Sequence, residues 1–329
     1  MSYRAFVVNK DGDDFTASVQ TLDESSLPEG DVTVAVDWSD LNYKDGLACT
    51  PNGRVVVSYP MTLGIDFAGT VVESSDSRYA AGDAVVATGY DLGTGHPGGY
   101  AERVRLSGDW LAPRPEGMSS EEAMTLGTAG ITSAMSIDVI EKAGIGPDAG
   151  PVIVSGATGG VGSTAVAMLA ARGYTVHAST GKASEHDFLR ELGASEILDR
   201  EELAAESRRP IERERWAAGV DPVGGSTTVS ILRQTKYGGV VALSGLTGGA
   251  GVSTTVMPFI LRGVSLVGIE SVYWPGEDRP RLWARMAEDF SGRNLLDLVE
   301  ARIGLEDVPE AASKILAGGV RGRILVRPT

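Results

Sequence analysis

The residues best suited to chemistry are glycines. In GATGGVGSTA, residues 156–165, the chain carries Gly156, Gly159, Gly160 and Gly162, with Ala157, Thr158 and Val161 between them. Glycine permits a tight turn and lets backbone N–H groups approach an anion closely. A helix that begins there adds the partial positive charge of its first turn. The spacing, GxxGGxG, is a variant of the pattern that holds a pyrophosphate. An ordinary strand-to-helix turn is the alternative reading. Context favours the ligand: the apolar strand PVIVSG runs in, a helix closed by Gly173 runs out, and a second strand, YTVHAST, follows. This βαβ unit predicts a dinucleotide held by Gly156, Thr158, Gly159, Gly160, Val161 and Gly162.

The end of the second strand selects the dinucleotide. A site for NAD places Asp or Glu there, on the ribose hydroxyls. Here the chain has Ser179, Thr180 and Gly181, followed by Lys182. Neutral donors beside a cation suit a 2′-phosphate, so the expected cofactor is NADPH. Arg200, after the next strand in EILDREE, offers a second cation, with Glu201 and Glu202 as competing neighbours.

A second polar concentration lies far from the glycines. The valine-rich run DVTVAVDW leads into SDLNYKDGLACT, which gathers Asp40, Asn42, Tyr43, Lys44 and Asp45. By itself the stretch leaves a solvated turn and the floor of an active site both open. Asn42 and Asp45 are expected to hold the turn, with catalysis as the other reading. Lys44 either attracts an anion or is solvated.

Composition limits the partners. The formal net charge is −15 over 329 residues, which disfavours nucleic acid and acidic membrane surfaces. A single cysteine, Cys49, excludes an intrachain disulfide and a thiolate-based zinc site. No apolar run is read as approaching the ~20 residues that span a bilayer. The N-terminus has no signal-peptide core, so a cytoplasmic protein is expected.

These groups need elements to position them. The first ~125 residues read as short β-strands: RAFVVNK, DVTVAVDW, GTVVES, DAVVATG and AERVRL, punctuated by Gly, Pro and Asp. A helix is expected from Ser119 or Ser120. Strands and helices then alternate to about residue 272, including a charged helix near 201–218 and a strand VSLVGIES. Two helices and a terminal strand, GRILVRP, finish the chain. The pattern predicts an α/β protein whose second part is a doubly wound parallel sheet. Asp83 and Asp221 read as turn residues.

The order of elements resembles the medium-chain dehydrogenase/reductase superfamily. The resemblance rests on LNYKDGL (41–47), LGIDFAGTVVE (63–73), GDAVVATG (82–89), GGYAERV (98–104), TAGITSA (128–134), GATGGVGSTA (156–165), DPVGG (221–225) and GRILV (322–326). It implies a GroES-like β-rich catalytic domain, residues 1–124 and 273–329, and a Rossmann NADPH-binding domain, residues 125–272. Zinc members carry a Cys in the first stretch and a His after the glycine of the second; here Ile65 stands in the His place and Cys49 lies beyond the Cys place. His96, His177 and His186 form no ligand spacing, and no metal is expected.

LNYKDGLA, PMTLGIDFAGTV, STGKASEHDFLRELGAS and TTVMPFILRGVSLVGIESV are similar to the acryloyl-CoA reductase subfamily of the zinc-free branch. That similarity implies NADPH-dependent reduction of the C=C bond of an α,β-unsaturated acyl-CoA, acryloyl-CoA to propanoyl-CoA. It implies that Tyr43 faces the nicotinamide as the reactive group, a phenol that can donate to an oxyanion although its ordinary pKa near ~10 opposes direct proton delivery, with Tyr59 in PNGRVVVSYP a lesser candidate. It implies further that Thr128, Leu246, Ser271 and Arg323 are cofactor contacts. It also implies a homodimer paired through VSLVGIESV. A quinone or enone reductase is the alternative, and a non-catalytic nucleotide-binding protein is the alternative of another class.

Overall fold

The computed structural model describes residues 1–205 and 207–329. The chain forms two compact units. One comprises Met1–Thr128, Ser271–Ala287 and Arg293–Thr329; the other comprises Ala129–Glu270 and Glu288–Gly292.

The first unit is mainly β. Its strands are β1 (Ser2–Asp11), β2 (Asp14–Asp23), β3 (Val32–Asp40), β4 (Met61–Thr62), β5 (Asp66–Ser74), β6 (Ala84–Thr88), β7 (Arg103–Leu106) and β8 (Leu111–Pro113), with helix α1 (Tyr43–Ala48) after β3. Strand β3 is central, pairing antiparallel with both β5 and β7. Its Val32, Val34 and Val36 alternate into a core with Phe67, Val71, Val85 and Leu106. Strand β2 is not evident from sequence, because DFTASVQTLD turns Phe15, Ala17 and Val19 toward one core and Leu22 toward another, each only partly buried. It exists because Gly12 takes φ 60° and closes a two-residue hairpin between Asp11 and Asp14.

Helix α2 (Ser120–Lys142) forms where expected but breaks at Gly127, whose φ of 48° and ψ of −148° are not helical. Among the described residues, α2 is also long and apolar enough by composition to cross a membrane, contrary to the sequence reading. Its apolar window is 89% buried, as in the core helix of a water-exposed protein.

The second unit has the expected doubly wound sheet. Strands β9 (Val152–Val154), β10 (Val176–Thr180), β11 (Ala194–Asp199), β12 (Trp216–Asp221), β13 (Thr235–Leu243) and β14 (Ser265–Gly268) stand parallel in the order β11-β10-β9-β12-β13-β14. Helices α3 (Gly160–Ala171), α4 (His186–Leu192), α5 (Arg200–Leu203), α6 (Gly225–Gln234) and α7 (Met257–Arg262) alternate with them. In place of the charged helix expected near 201–218, the described residues form the four-residue α5 and, over 207–215, non-helical chain that leads into β12. Pro210 opposes a continuous helix, and the N–H groups of Glu212 and Arg215 bond to Arg233 and Gln234 of α6. Strand β14 is shorter than expected and forms one edge of the sheet.

The chain ends with α8 (Arg279–Asp289), β15 (Val299–Gly304), α9 (Val308–Leu316) and β16 (Arg323–Arg327). Strand β15 was not anticipated. It pairs parallel with β16, which itself pairs with the end of β3 at Ser39 and Asp40. That pairing brings Arg323 to the polar stretch.

Candidate active site

The polar stretch is the start of a short helix set on a buried cluster of charges. Asn42 is the N-cap of α1 and Tyr43 its first residue. Asp45, at the third helical position, accepts the Asn42 N–H at 2.9 Å through one oxygen and the Ile65 N–H at 3.0 Å through the other. One carboxylate thus satisfies an orphan N–H of the helix start and ties α1 to the residue before β5. The Asn42 side-chain amide donates to Asp40 Oδ1 at 2.6 Å and Asp66 Oδ2 at 3.1 Å. Its oxygen accepts from Arg323 Nη2 at 3.3 Å, so the orientation of the amide is fixed. The same Nη2 lies 2.5 Å from Asp40 Oδ2. Arg323 Nε donates to Thr125 O at 3.2 Å, and the Tyr100 hydroxyl donates to Asp40 O at 3.0 Å.

Asp40, Asp45 and Asp66 are each 0% exposed and Arg323 is 3% exposed. Burial, more than the repulsion from Asp66, raises Asp45 from the ordinary 3.8 to about 7. Burial also lifts Asp40 well above the usual carboxylate range despite the opposing Arg323 charge. Gly127 completes the cluster. Just past the break in α2, the Thr128 N–H donates to Asp66 Oδ2 at 2.8 Å. A Cβ on Gly127 would lie 1.9 Å from Asp40 Oδ2 and 2.9 Å from Asp66 Oδ2.

The structure therefore brings Asn42, Asp45, Thr128 and Arg323 together in the first unit, with Tyr43 beside them and 37% exposed. Thr128 meets the cluster through its backbone, and the Arg323 guanidinium faces Asp40, Asn42 and Thr125. The reading from sequence missed Asp66 and Gly127. A carboxylate between Ile65 and Phe67 in an otherwise apolar run was the available signal, since such a group must find donors if buried. Asp83 accepts the Ala80 N–H in a turn, at 2.8 Å. An open polar depression lined by Trp38, Ser120, Glu121 and Arg327 contains none of the expected site residues.

The nucleotide-loop residues assemble in the second unit. Gly156 takes φ 52°, and a Cβ on Gly162 would lie 2.3 Å from Gly156 O, so the first glycine makes the turn and the last lets α3 pack on it. Gly159, the N-cap of α3, meets only Gly156 O, at 3.3 Å. The space a side chain would fill there is open in front of the helix start, where Gly160 and Val161 begin α3, which fits a pyrophosphate. Thr158 Oγ1 lies 3.2 Å from Thr180 Oγ1, and Ala157 N–H donates to Ser179 O at 2.9 Å, which joins the loop to the end of β10. Asp221 accepts from Ser155 Oγ, Thr228 Oγ1 and the N–H groups of Val223 and Gly224, a turn-holding role.

The end of β10 carries the residues expected at the 2′-phosphate. The Lys182 N–H donates to Thr180 Oγ1 at 3.1 Å. The Arg200 guanidinium lies against Gly181, 3.0 Å from where a Cβ would stand. Glu202, one competing neighbour, is drawn to Arg215 at 3.5 Å. Leu246 is 60% exposed on the loop after β13. Ser271 is half-buried and belongs to the first unit's second segment.

Comparison with known proteins agrees with this architecture. Residues 28–116 match the alcohol dehydrogenase GroES-like domain family, and residues 160–288 match the zinc-binding dehydrogenase family. The acrylyl-CoA reductase AcuI of Ruegeria pomeroyi is 47% identical over 329 residues, 98% of each chain. YhfP of Bacillus subtilis, whose name places it provisionally among quinone oxidoreductases, is 47% identical over 325 residues, 99% of this chain and 98% of that one. Its structure with NAD bound has a TM-score of 0.96 and covers 99% of both chains. The yhdH oxidoreductase of Salmonella enterica, solved with NADP, is 48% identical with a TM-score of 0.95, covering 98% of this chain and 99% of that one. The chain belongs to the medium-chain dehydrogenase/reductase superfamily. It is an oxidoreductase of the group that contains these three proteins.

The name of one matched family implies zinc, and the residues here do not fit that ion. Ile65 offers no ligand atom, and burial, reinforced by Asp45, pushes the Cys49 thiol up to about 12, away from thiolate. His96 Nδ1 is engaged with Pro97 O at 2.8 Å, and His177 lies between Trp216 and Glu196. Asp45 has both oxygens occupied by N–H groups. Among the described residues no three His, Cys, Asp or Glu side chains are grouped to hold a metal.

Proposed function

We propose that this protein uses NADPH to reduce the C=C bond of an α,β-unsaturated acyl-CoA, acryloyl-CoA to propanoyl-CoA first among them. The observation that carries the reading is near-half identity, over the whole chain, to an acrylyl-CoA reductase. When bound, NADPH would supply the hydride for the β-carbon of the enoyl thioester, the reaction that leaves charge on the thioester oxygen. Gly156, Thr158, Gly159, Gly160, Val161 and Gly162 bind the pyrophosphate. Ser179, Thr180, Gly181, Lys182 and Arg200 bind the 2′-phosphate, which supports NADPH over NADH. Leu246, Ser271 and Thr128 are assigned to the cofactor as well.

The Tyr43 phenol donates to the developing oxyanion, where a preorganised donor is most effective. Asn42, Asp45 and Arg323 hold Tyr43 through the buried cluster. The α-carbon takes its proton from solvent. The working form is a homodimer built on the edge strand β14; α7, which packs on β13, exposes Ile260 at 68% and Leu261 at 54%.

Reduction of a quinone or small enone is the second reading, favoured by the similarity to YhfP. NADPH oxidation with acryloyl-CoA, crotonyl-CoA, a quinone and an alkenal separates the two. A thousandfold preference for the quinone would overturn the first. NADPH binding without turnover of any of them would leave only a nucleotide-binding protein.

A further inference from the structure

One strained residue lies outside both groups described above. Tyr90 follows β6 with φ 52°, a backbone conformation that bulky side chains avoid. Its ring stacks on Trp110 at 5.1 Å, and its N–H donates to Val272 O at 2.8 Å. The Arg279 guanidinium sits 4.3 Å over the Tyr90 ring and is 2% exposed. Arg279 Nη1 donates to Thr88 O and Thr88 Oγ1, at 2.7 and 2.8 Å. Nη2 donates to Ser271 O and Val272 O, at 3.3 and 3.0 Å. A Cβ on Gly89 would stand 2.8 Å from Ser271 O, so the two backbones meet only because residue 89 is glycine. Ser271 comes three residues after the C-terminal end of β14, and it is outside the C-terminal ends of such parallel strands that doubly wound sheets bind their ligands.

We propose that Arg279 is a positioning residue for the nicotinamide end of NADPH: its guanidinium clamps the Ser271–Val272 backbone to the end of β6. The proposal rests on the dinucleotide reading above. A planar guanidinium spans both sets of acceptors, whereas a lysine ammonium is a point donor that serves one.

The test is ligand binding by the full-length protein, followed by calorimetric titration. Arg279→Lys should weaken NADPH roughly tenfold and leave 2′,5′-ADP, which lacks the nicotinamide half, unchanged. Equal weakening of both ligands, or no change in NADPH, overturns the proposal. If Arg279→Lys does not fold, Tyr90→Asn removes the covering ring while tolerating the left-handed backbone; the same split is expected, and its absence refutes the clamp. If the wild type binds neither ligand, the cofactor reading falls and this proposal with it.

Discussion

Substitution of Gly127 by alanine tests whether the buried charge cluster holds the first unit together. Two costs follow from the geometry. Alanine must adopt φ 48° and ψ −148°, a region that non-glycine residues occupy at roughly 1–3 kcal/mol. Its Cβ would also lie 1.9 Å from Asp40 Oδ2, the oxygen that faces Arg323 at 2.5 Å. Neither carboxylate nor guanidinium has solvent to move into, since both are buried. Disrupting one partner of a buried pair costs about 3–5 kcal/mol. Together these give ~4–8 kcal/mol, a large part of the ~5–15 kcal/mol that stabilises a typical fold. Urea or thermal unfolding of Gly127→Ala, followed by circular dichroism, measures it. A loss below ~1 kcal/mol, the ordinary scale of a helix glycine substitution, would refute the reasoning.

Three further outcomes are expected. Lys182→Ala and Arg200→Ala should each weaken NADPH by about 10- to 100-fold and NADH by much less, in parallel titrations, because each removes a charged hydrogen bond to the 2′-phosphate worth about 1.5–3 kcal/mol; equal effects on the two cofactors would end that assignment. Tyr43→Phe should lower kcat by roughly 100- to 1,000-fold with little change in fold, as loss of one donor to an oxyanion does, and unchanged kcat and KM would remove Tyr43 from the reaction. Burial raises Asp45 from 3.8 to about 7, so the folded state holds this proton more tightly than the unfolded chain; the stability it contributes is complete below about 3.8 and is lost as pH rises through about 7. Unfolding midpoints between pH 5 and 8 should therefore fall with pH in the wild type, and Asp45→Asn should flatten that slope while costing about 1–3 kcal/mol throughout for a lost N–H acceptor.

How much was legible in the sequence depended on the range of the interaction. The glycine loop could be read because turn, helix start and flanking strands are neighbours along the chain. The doubly wound sheet followed from the same local alternation. The departures came where distant chain decides. Residues 201–218 carry helix-forming charges, but Pro210 and bonds to α6 leave them largely unwound. Strand β15 exists because β16 lies beside it, and β2 because Gly12 folds it back on β1. The candidate site shows the same limit. Asn42 and Asp45 could be read as scaffold from a capping pattern spanning four residues. Their dependence on Asp66, Gly127 and Arg323 could not, because those residues lie from 24 to 281 positions away from Asn42. Arg200 and Gly181 meet only once β10 and β11 pair, and the clamp of Arg279 on Ser271 needs the end of β6 as its anchor.

The central claim is the substrate, and one comparison tests it most directly. Steady-state oxidation of NADPH by the purified protein should give a kcat/KM for acryloyl-CoA at least tenfold above that for 1,4-benzoquinone, a difference in transition-state binding of about 1.4 kcal/mol or more. A quinone preferred a thousandfold, or no oxidation with any enoyl thioester, would contradict it.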